Sequence, residues 1–393
     1  MLIDLKDYGF TGADILAAQE IIKGKNRLSA PDSPFIPGRI IESRRERYRV
    51  ICEYGEIPAE IKGSFFHNLE EEDPYDEKRI SSDPFLHFKE PAGFPVVGDF
   101  VIVRYNEKGS SLIDTVLKRR SRFSRVDFLG HEEGYVKNVR EQVSAANFDY
   151  VFIMSSLNFD LNIKRLARYL TAVLQSGGFP VFVLTKSDLT GDPNVHAAEV
   201  RKIAREAPVI SVSSKTGFGI DDLEPFLEPA KTVVFLGSSG VGKSSLLNRL
   251  AGSELMEVKT IREDDSKGRH TTTYRQLFRL SSGALVIDTP GMREIGLWDS
   301  QEGISLAFTE VKELFTKCRF NNCTHISEPG CAVLAALEDG SLSPEQWKSY
   351  LAQSRENAFV ISRSAYLKQK KEFHKNISQY SRARKKRDNS FGE

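Results

Sequence analysis

Cysteine is scarce in this sequence, with four residues in 393, and so few exclude a disulfide-built scaffold for a chain of this length. Long apolar runs are also missing, since none approaches the ~20 residues that a membrane-spanning helix needs. Charged residues occur among the first seven positions, too early for the apolar stretch of a signal peptide. We therefore expect a cytoplasmic protein with no membrane partner.

Net charge is nearly absent as well, because 55 lysine and arginine residues almost cancel 54 aspartate and glutamate residues. The total argues neither for nor against a nucleic-acid partner, so the distribution of charge along the chain has to decide. An apolar fraction of 40% and a charged fraction of 28% are ordinary for a globular protein. The length predicts roughly two to three domains.

Short alternating segments separated by turn glycines run from residue 35 to residue 122. This pattern of short segments and turns predicts a small β-barrel. An OB-type barrel fits best, but SH3-like and purely structural barrels stay open, so nucleic-acid binding is undecided on this pattern alone. Residues 1–34 are interpreted as an extension with no chemistry of its own, and residues 66–92, which include an acidic run, as a long inserted loop.

Strand and helix patterns alternate from residue 123 to residue 300. The alternation predicts a parallel sheet with its ligand at the carboxyl ends of the strands. Strands are expected at residues 150–154, 181–184, 209–212 and 232–236, and helices at residues 162–175 and 194–205.

The apolar strand Thr232–Leu236 runs directly into Gly237–Ser244, which matches G-x-x-x-x-G-K-[ST] and is followed by a helical pattern. The backbone N–H groups of such a turn converge on phosphate oxygens, and the helix N-terminus adds a positive dipole end. We expect Lys243 to reach the β- and γ-phosphates and the Ser244 hydroxyl to bind Mg²⁺. The segment predicts a nucleoside triphosphate site.

Two earlier strand ends carry motifs that look like the base-reading motifs of GTPases, N/T-K-x-D and S-A-K. They are Thr185–Asp188 (T-K-S-D) and Ser213–Lys215 (S-S-K). The Asp188 carboxylate can accept hydrogen bonds from the guanine N1–H and 2-amino group, whereas adenine would leave a buried carboxylate unsatisfied. Thr185 stands where asparagine is common, a change that could weaken a structural hydrogen bond without removing the carboxylate.

Two further motifs follow the P-loop. Gly268–Thr273 (G-R-H-T-T-T) lies where a switch loop would offer a threonine, Thr272 in our assignment, to Mg²⁺. Asp288–Gly291 (D-T-P-G) is a D-x-x-G motif, whose aspartate holds Mg²⁺ through water and whose glycine N–H meets the γ-phosphate.

Base-reading motifs thus precede phosphate motifs, an order that a circularly permuted G domain explains. The predicted nucleotide-binding residues are Thr185, Lys186, Ser187, Asp188, Ser213, Ser214, Lys215, Gly237, Ser238, Ser239, Gly240, Val241, Gly242, Lys243, Ser244, Ser245, Asp288 and Gly291.

Three of the four cysteines fall within a short stretch with one histidine: Cys318, Cys323, His325 and Cys331. Three thiolates and an imidazole can close a tetrahedral Zn²⁺ shell with no open position, so a structural zinc is favoured over a catalytic one. Reduced cysteines without a metal are the plainer alternative. Cys52, in the barrel region, is interpreted as a small buried apolar residue.

Positive charge gathers in two places. Lysine and arginine are dense in residues 368–387, and on a nearly neutral protein a segregated basic end favours contact with RNA phosphates over a merely solvated tail. The shorter run Lys118–Arg122 is either a solvated linker or a phosphate-contacting edge.

The chain resembles the ribosome small-subunit-dependent GTPase A family over residues 38–360. Four features carry the resemblance: the N-terminal barrel, the permuted order of the motifs, the sequence G-R-H-T-T-T and the Cys/His set. The resemblance implies an N-terminal OB-type barrel, a central circularly permuted P-loop GTPase α/β domain and a C-terminal α-helical zinc domain. The boundaries expected here are residues 1–34, 35–122, 123–300 and 301–393. It also implies a GTP hydrolase that acts late in maturation of the small (30S) ribosomal subunit, binds rRNA rather than DNA, and works as a monomer.

Met292 occupies the position after D-x-x-G where simple GTPases carry a glutamine that orients the attacking water. Hydrolysis should therefore be slow in isolation, with His270 or a ribosomal group supplying the missing part beside Lys243. A P-loop kinase and a non-enzymatic RNA-binding module with a residual nucleotide pocket are the alternatives.

Overall fold

The computed structural model describes residues 2–26, 34–44, 47–61, 94–129, 138–158, 160–255, 275–288 and 301–358. The chain forms two compact units. One comprises Met1–Ser124 with Gln142–Ile295, and the other Arg125–Glu141 with Gly296–Glu393. None of the helices in the described stretches combines the length and the apolarity that crossing a bilayer requires.

The strands are β1 (Phe35–Arg44), β2 (Arg47–Cys52), β3 (Gly55–Ile61), β4 (Phe100–Arg104), β5 (Ser111–Val116), β6 (Arg122–Leu129), β7 (Asn138–Ala146), β8 (Tyr150–Ser156), β9 (Phe179–Thr185), β10 (Val209–Ser211), β11 (Thr232–Leu236), β12 (Arg275–Arg279) and β13 (Leu285–Asp288). The helices are α1 (Gly12–Asn26), α2 (Ile163–Ser176), α3 (Pro193–Ala204), α4 (Lys243–Ala251), α5 (Gln301–Ala307), α6 (Thr309–Thr316), α7 (Ala332–Glu338) and α8 (residues 344–358). Short 3-10 turns span Leu5–Tyr8, Ser187–Leu189 and Asp221–Phe226.

Strands β1 to β5 close into a barrel in the order β1–β2–β3–β5–β4, with β4 pairing back to β1. The pairing of β3 with β5 is parallel and the others are antiparallel. This connectivity is that of an OB-type barrel, so the predicted fold of this region is confirmed. Alternation along β2, where Tyr48 and Val50 are buried and Arg47 and Arg49 are exposed, turns one face of the strand to the barrel core. Cys52 is fully buried there, as predicted.

The second half of the same unit carries a mostly parallel sheet in the order β10–β9–β8–β11–β13–β12. Only β12 runs antiparallel to its neighbour β13. The β11 residues from Thr232 to Leu236 are all buried, as expected for a central strand that is covered on both faces. The chain reaches β8, β9 and β10 before β11, yet β11 lies between β8 and β13, which confirms the circularly permuted α/β domain.

The barrel and the parallel sheet are continuous. Strand β1 pairs with β12 through Glu42 opposite Gln276 and Ser43 opposite Arg275, so an 11-stranded sheet runs through both. The barrel and the permuted α/β domain are therefore joined by backbone hydrogen bonds.

The N-terminal segment packs on the barrel. Phe10 and Ala18 are buried in an apolar cluster with Phe100, Ile102 and Leu117 of the barrel. Residues 2–26, interpreted from sequence as an extension, thus contribute to the barrel's packing.

The basic run after the barrel is partly structural. Arg119 donates from Nε and Nη2 to the two carboxylate oxygens of Asp99, both at 2.7 Å. The Asp99 side chain is fully buried and that of Arg119 is 8% exposed. For Arg119, both the solvated-linker and the phosphate-edge interpretations are wrong, because burial with a carboxylate withdraws the guanidinium from solvent.

In the second unit, α5 to α8 are the helices among the described residues, which agrees with the predicted α-helical zinc domain. Strands β6 and β7 pair with each other as a separate two-stranded sheet. The sequence did not predict this pairing.

Candidate functional site

The carboxyl ends of four neighbouring strands meet at one edge of the parallel sheet. Strand β9 ends at Thr185, β8 at Ser156, β11 at Leu236 and β13 at Asp288. Since parallel strands point the same way, the motifs that follow them converge at this edge, where open α/β sheets bind their ligands.

Glycine is required at several points of the loop Gly237–Ser244, which joins β11 to α4. Gly240 and Gly242 have φ of +75° and +105°, values that residues with a side chain rarely adopt. A Cβ on Gly237 would lie 2.7 Å from Met154 O, so the loop can leave β11 beside β8 only without a side chain. The glycines therefore set the curvature of the loop.

Lys243 begins helix α4 and its side chain folds back over the loop. Its Nζ donates to Gly237 O and Ser238 O, both at 2.7 Å. The ammonium is thereby held across the mouth of the loop, where P-loop lysines meet phosphate. Around it, Val241 is buried, Ser244 and Ser245 are half-buried, and Ser239 and Gly240 are exposed.

Thr185 links the first base-reading motif to the P-loop. Its hydroxyl donates to Val241 O and lies 3.4 Å from Ser155 O, and the residue is 2% exposed. A threonine in place of asparagine thus still makes a hydrogen bond between the two motifs.

The two base-reading motifs are joined by a side-chain hydrogen bond. Ser213 Oγ donates to Asp188 Oδ1 at 2.6 Å and accepts from Thr216 N at 3.2 Å. Ser213 is fully buried, whereas Asp188 is an exposed residue, so its carboxylate is not the buried one that the comparison with adenine assumed. The preceding Lys186 has φ of +58°, which turns the chain sharply after β9. The remaining members of these motifs are Ser187, which is buried, Ser214, which is half-buried, and Lys215, which is exposed.

Two of the three predicted magnesium ligands are described. Asp288 ends β13 with 9% exposure, and the half-buried Ser244 lies in the first turn of α4. Both stand at the carboxyl edge of the sheet, with oxygen atoms of the kind that Mg²⁺ prefers. Thr272, His270, Gly291 and Met292 lie outside the described residues.

Sequence reasoning missed one residue at this edge. Asp160, which follows β8, accepts a hydrogen bond from Ser238 Oγ at 2.6 Å and pairs with Arg165 at 2.7 Å. No motif marks Asp160. The one signal is its place after a strand end, and that signal becomes useful only when β8 is known to neighbour β11.

The predicted metal ligands of the second unit come together. One ligand atom from each of Cys318, Cys323, His325 and Cys331 lies within 4.8 Å of all the others. His325 Nδ1 is 3.6 Å from Cys318 Sγ and 3.5 Å from Cys331 Sγ. Tetrahedral Zn²⁺ with bonds of about 2.3 Å to sulfur and about 2.0 Å to nitrogen separates such atoms by roughly 3.5 Å. The residues present therefore fit a structural zinc, held through Nδ1 of the histidine.

Aromatic rings fix the histidine of this centre. Phe315 stacks on His325 with ring centroids 4.3 Å apart, and the Trp347 ring meets it edge-on at 5.9 Å. Burial lowers the pKa of the His325 imidazole from its ordinary value, and a metal ligand must be neutral. The ring is thus both oriented and kept in the ligating form. No sequence spacing pointed to Phe315 or Trp347.

The comparisons with known proteins agree with this arrangement. Residues 117–298 match the family described as RsgA GTPase. A protein from Listeria monocytogenes named small ribosomal subunit biogenesis GTPase RsgA 2 is 41% identical over 355 residues, which are 90% of this chain and 90% of that protein.

Two crystal structures share the fold. YjeQ from Thermotoga maritima matches with a TM-score of 0.56 and 24% identity, covering 82% of this chain and 99% of that one. YloQ, described as a circularly permuted GTPase, matches with a TM-score of 0.52 and 23% identity, covering 84% of this chain and 97% of that one. The Listeria relative is 41% identical over 90% of this chain, and the family model matches residues 117–298, so the chain belongs to the RsgA GTPase family.

Proposed function

We propose that this protein binds GTP at the carboxyl edge of its parallel sheet, hydrolyses it to GDP and phosphate, and serves as a late maturation factor of the small (30S) ribosomal subunit. The observation that carries the choice of nucleotide is the Ser213–Asp188 hydrogen bond. It holds an exposed carboxylate in one orientation at the edge that also bears the P-loop. A preoriented carboxylate favours guanine, which offers two N–H groups, over adenine, which offers none in that position.

Phosphate binding is assigned to the P-loop. Its backbone N–H groups and the start of α4 would hold the phosphates, and the Lys243 ammonium would exchange its two carbonyl partners for β- and γ-phosphate oxygens. Ser244, Thr272 and Asp288 are proposed to hold Mg²⁺, directly or through water. The ion would neutralise charge on the β- and γ-phosphate oxygens.

Hydrolysis needs a water in line with the γ-phosphate. Met292 cannot orient it, because a thioether is only a weak acceptor and donates nothing. His270 is proposed for this role, since an imidazole can donate to or accept from the water. We expect it to act when the partner orders the switch loop, so that intrinsic turnover is low.

The partner is proposed from three features. The Listeria relative is named for small ribosomal subunit biogenesis, OB-type barrels commonly bind oligonucleotides, and residues 368–387 are strongly basic. Together they support contact with rRNA of the small subunit by a monomeric cytoplasmic protein, without a role for DNA.

The deciding experiment is GTP turnover with and without purified small subunits. Turnover alone should be on the order of 10⁻⁴ s⁻¹, as in unassisted small GTPases, and small subunits at low salt should raise it at least about tenfold. Added salt should abolish the stimulation by weakening the electrostatic contact with rRNA. His270→Ala should remove most of the stimulation while the GTP affinity changes by less than ~1 kcal/mol.

Unchanged turnover with small subunits at low salt would overturn the proposed ribosome-triggered reaction. Competition of ATP against GTP separates the proposal from a P-loop kinase, because a kinase has no need of the Asp188 carboxylate. RNA binding that is equal in every nucleotide state would favour a non-enzymatic RNA-binding module.

A further inference from the structure

We infer that Asp160 is a positioning residue for the P-loop, acting through the side chain of Ser238. The inference rests on the proposed function in one respect, namely that this loop binds the phosphates of GTP. Asp160 belongs to none of the nucleotide-binding motifs.

The contact between them has the geometry of a strong hydrogen bond. Ser238 Oγ donates to Asp160 Oδ2 at 2.6 Å, within the range of hydroxyl-to-carboxylate bonds, which are about twice as strong as neutral ones. Ser238 is the second residue of the loop. Its carbonyl oxygen accepts from Lys243 Nζ at 2.7 Å. Asp160 therefore orients Ser238, whose carbonyl oxygen also accepts a hydrogen bond from Lys243.

Asp160 is itself held by two residues. Its carboxylate pairs with Arg165 Nη2 through Oδ1 at 2.7 Å. Its carbonyl oxygen accepts from the same Arg165 Nη2 and from Ser155 Oγ, the latter at 3.2 Å. Ser155 is fully buried at the end of β8. A side chain fixed in this way can impose its geometry on the loop rather than follow it.

Arg165 also explains how a carboxylate can stand beside a phosphate site. An unpaired negative charge there would repel the phosphates of a nucleotide. The Asp160 side chain is 25% exposed and that of Arg165 is 30% exposed, so neither charge bears the full penalty of burial. The pair supplies a charged acceptor for Ser238 without leaving a net negative charge.

The P-loop is thus fastened at two points from two neighbouring strands. Asp160 follows β8 and holds Ser238, while Thr185 ends β9 and holds Val241. Both precede the P-loop in the chain because the domain is permuted. A loop that is held at two points before the nucleotide arrives needs less ordering on binding. We therefore expect Asp160 to act on nucleotide affinity and not on the chemical step.

The test is a mutant cycle on the full-length protein that keeps the local net charge constant. Ser238→Ala should weaken binding of a fluorescent GTP analogue about tenfold, as loss of a hydrogen bond to a charged group predicts. The charge-neutral pair Asp160→Ala/Arg165→Met should weaken it by a similar factor. Adding Ser238→Ala to that pair should change the affinity less than about twofold, because the acceptor is already gone. Asp160→Asn/Arg165→Met, which keeps the net charge constant and retains an acceptor oxygen, should recover part of the loss, because a neutral acceptor makes a hydrogen bond about half as strong.

Single-turnover hydrolysis at saturating GTP should stay within about twofold of wild type in the variants at Asp160 and Arg165, because the loss lies in binding. Thermal unfolding identifies any variant that fails to fold. If Asp160→Ala/Arg165→Met does, the effect of Ser238→Ala is measured in Asp160→Asn/Arg165→Met, where it should be smaller than in wild type. If Ser238→Ala weakens binding equally with and without Asp160, the serine contacts the nucleotide itself and the inference is wrong. If binding is unchanged but the melting temperature falls, the contact is only structural, which also overturns it. Failure of wild-type protein to bind GTP would instead contradict the proposed function.

Discussion

Arg39 Nη1 lies 3.0 Å from Thr232 Oγ1, a hydrogen bond between residues 193 positions apart in the chain. Arg39 belongs to barrel strand β1, and Thr232 begins β11, the strand that leads into the P-loop. The same guanidinium donates to Tyr8 O and Asn147 O, both at 2.7 Å, and to Gly98 O at 3.2 Å. It thereby ties the N-terminal segment and the barrel to the points where the chain begins β8 and β11 of the permuted sheet.

The Arg39 side chain is fully buried, and its hydrogen-bond acceptors are neutral oxygens. Burial lowers the pKa of the Arg39 guanidinium to about 9. A planar group with donors spread in a fork can reach several acceptors at once, whereas a lysine ammonium is a single point. This position therefore requires the several donors of an arginine, and a positive charge alone is not sufficient.

Arg39→Lys should lower the free energy of unfolding by about 3 kcal/mol or more, because buried carbonyl oxygens lose their donors at about 1–3 kcal/mol each. Chemical denaturation of the full chain measures the loss. Arg104→Lys, on an exposed position of β4, should change stability by less than about 0.5 kcal/mol. A lysine variant as stable as wild type would contradict the role of the four-acceptor arrangement.

Thr185→Val keeps the shape of the side chain and removes the hydroxyl that donates to Val241 O. We expect GTP to bind about tenfold more weakly and the unfolding free energy to fall by about 1–3 kcal/mol, since a buried carbonyl loses this donor. Isothermal titration and denaturation measure the two effects. Thr185→Ser retains the hydroxyl and should stay near wild type. Equal affinity of the valine variant would mean that this bond does not hold the loop.

Asp188→Asn should weaken GTP binding and favour xanthosine triphosphate. The new carboxamide NH₂ can donate to the C2 carbonyl of xanthine, which a carboxylate would repel. Ser213→Ala is the matched control, because it removes the donor to Asp188 Oδ1 but keeps the carboxylate. It should weaken GTP binding without any gain for the xanthine nucleotide. Unchanged affinities for both nucleotides in Asp188→Asn would remove this residue from the pocket.

Cys323→Ser should abolish binding of one zinc ion per chain and leave GTP binding intact, because the ligand cluster and the P-loop belong to different units. Metal analysis of protein prepared without added zinc, with a GTP titration beside it, gives both readouts. Chelation should also change the near-ultraviolet circular dichroism, since Phe315 and Trp347 pack against His325. Cys52→Ala should retain the metal. A metal-free wild type with this aromatic packing intact would refute the zinc assignment.

Features whose residues are contiguous could be predicted from the amino-acid sequence alone. The P-loop could be identified because strand, glycine turn and helix follow one another, and the Cys/His set because a small metal shell draws its ligands from one short stretch. Short alternating segments separated by turn glycines were sufficient to predict a small barrel, and OB was the best of several barrel types. Chain order of the motifs was sufficient to predict the permutation.

Which segments meet became known only from the three-dimensional structure. Hydrophobic periodicity predicts that a strand is buried. It does not predict which strand lies beside it, such as β12 beside β1 or β11 beside β8, because this depends on the path of the chain in three dimensions. Asp160, Arg39 and Phe315 could not be identified in advance, because each acts on a partner distant in sequence or through packing that follows no motif. When a side chain donates to a backbone carbonyl oxygen, the accepting residue can be of any type, since every residue carries that carbonyl. The sequence therefore does not show which residue accepts the hydrogen bond.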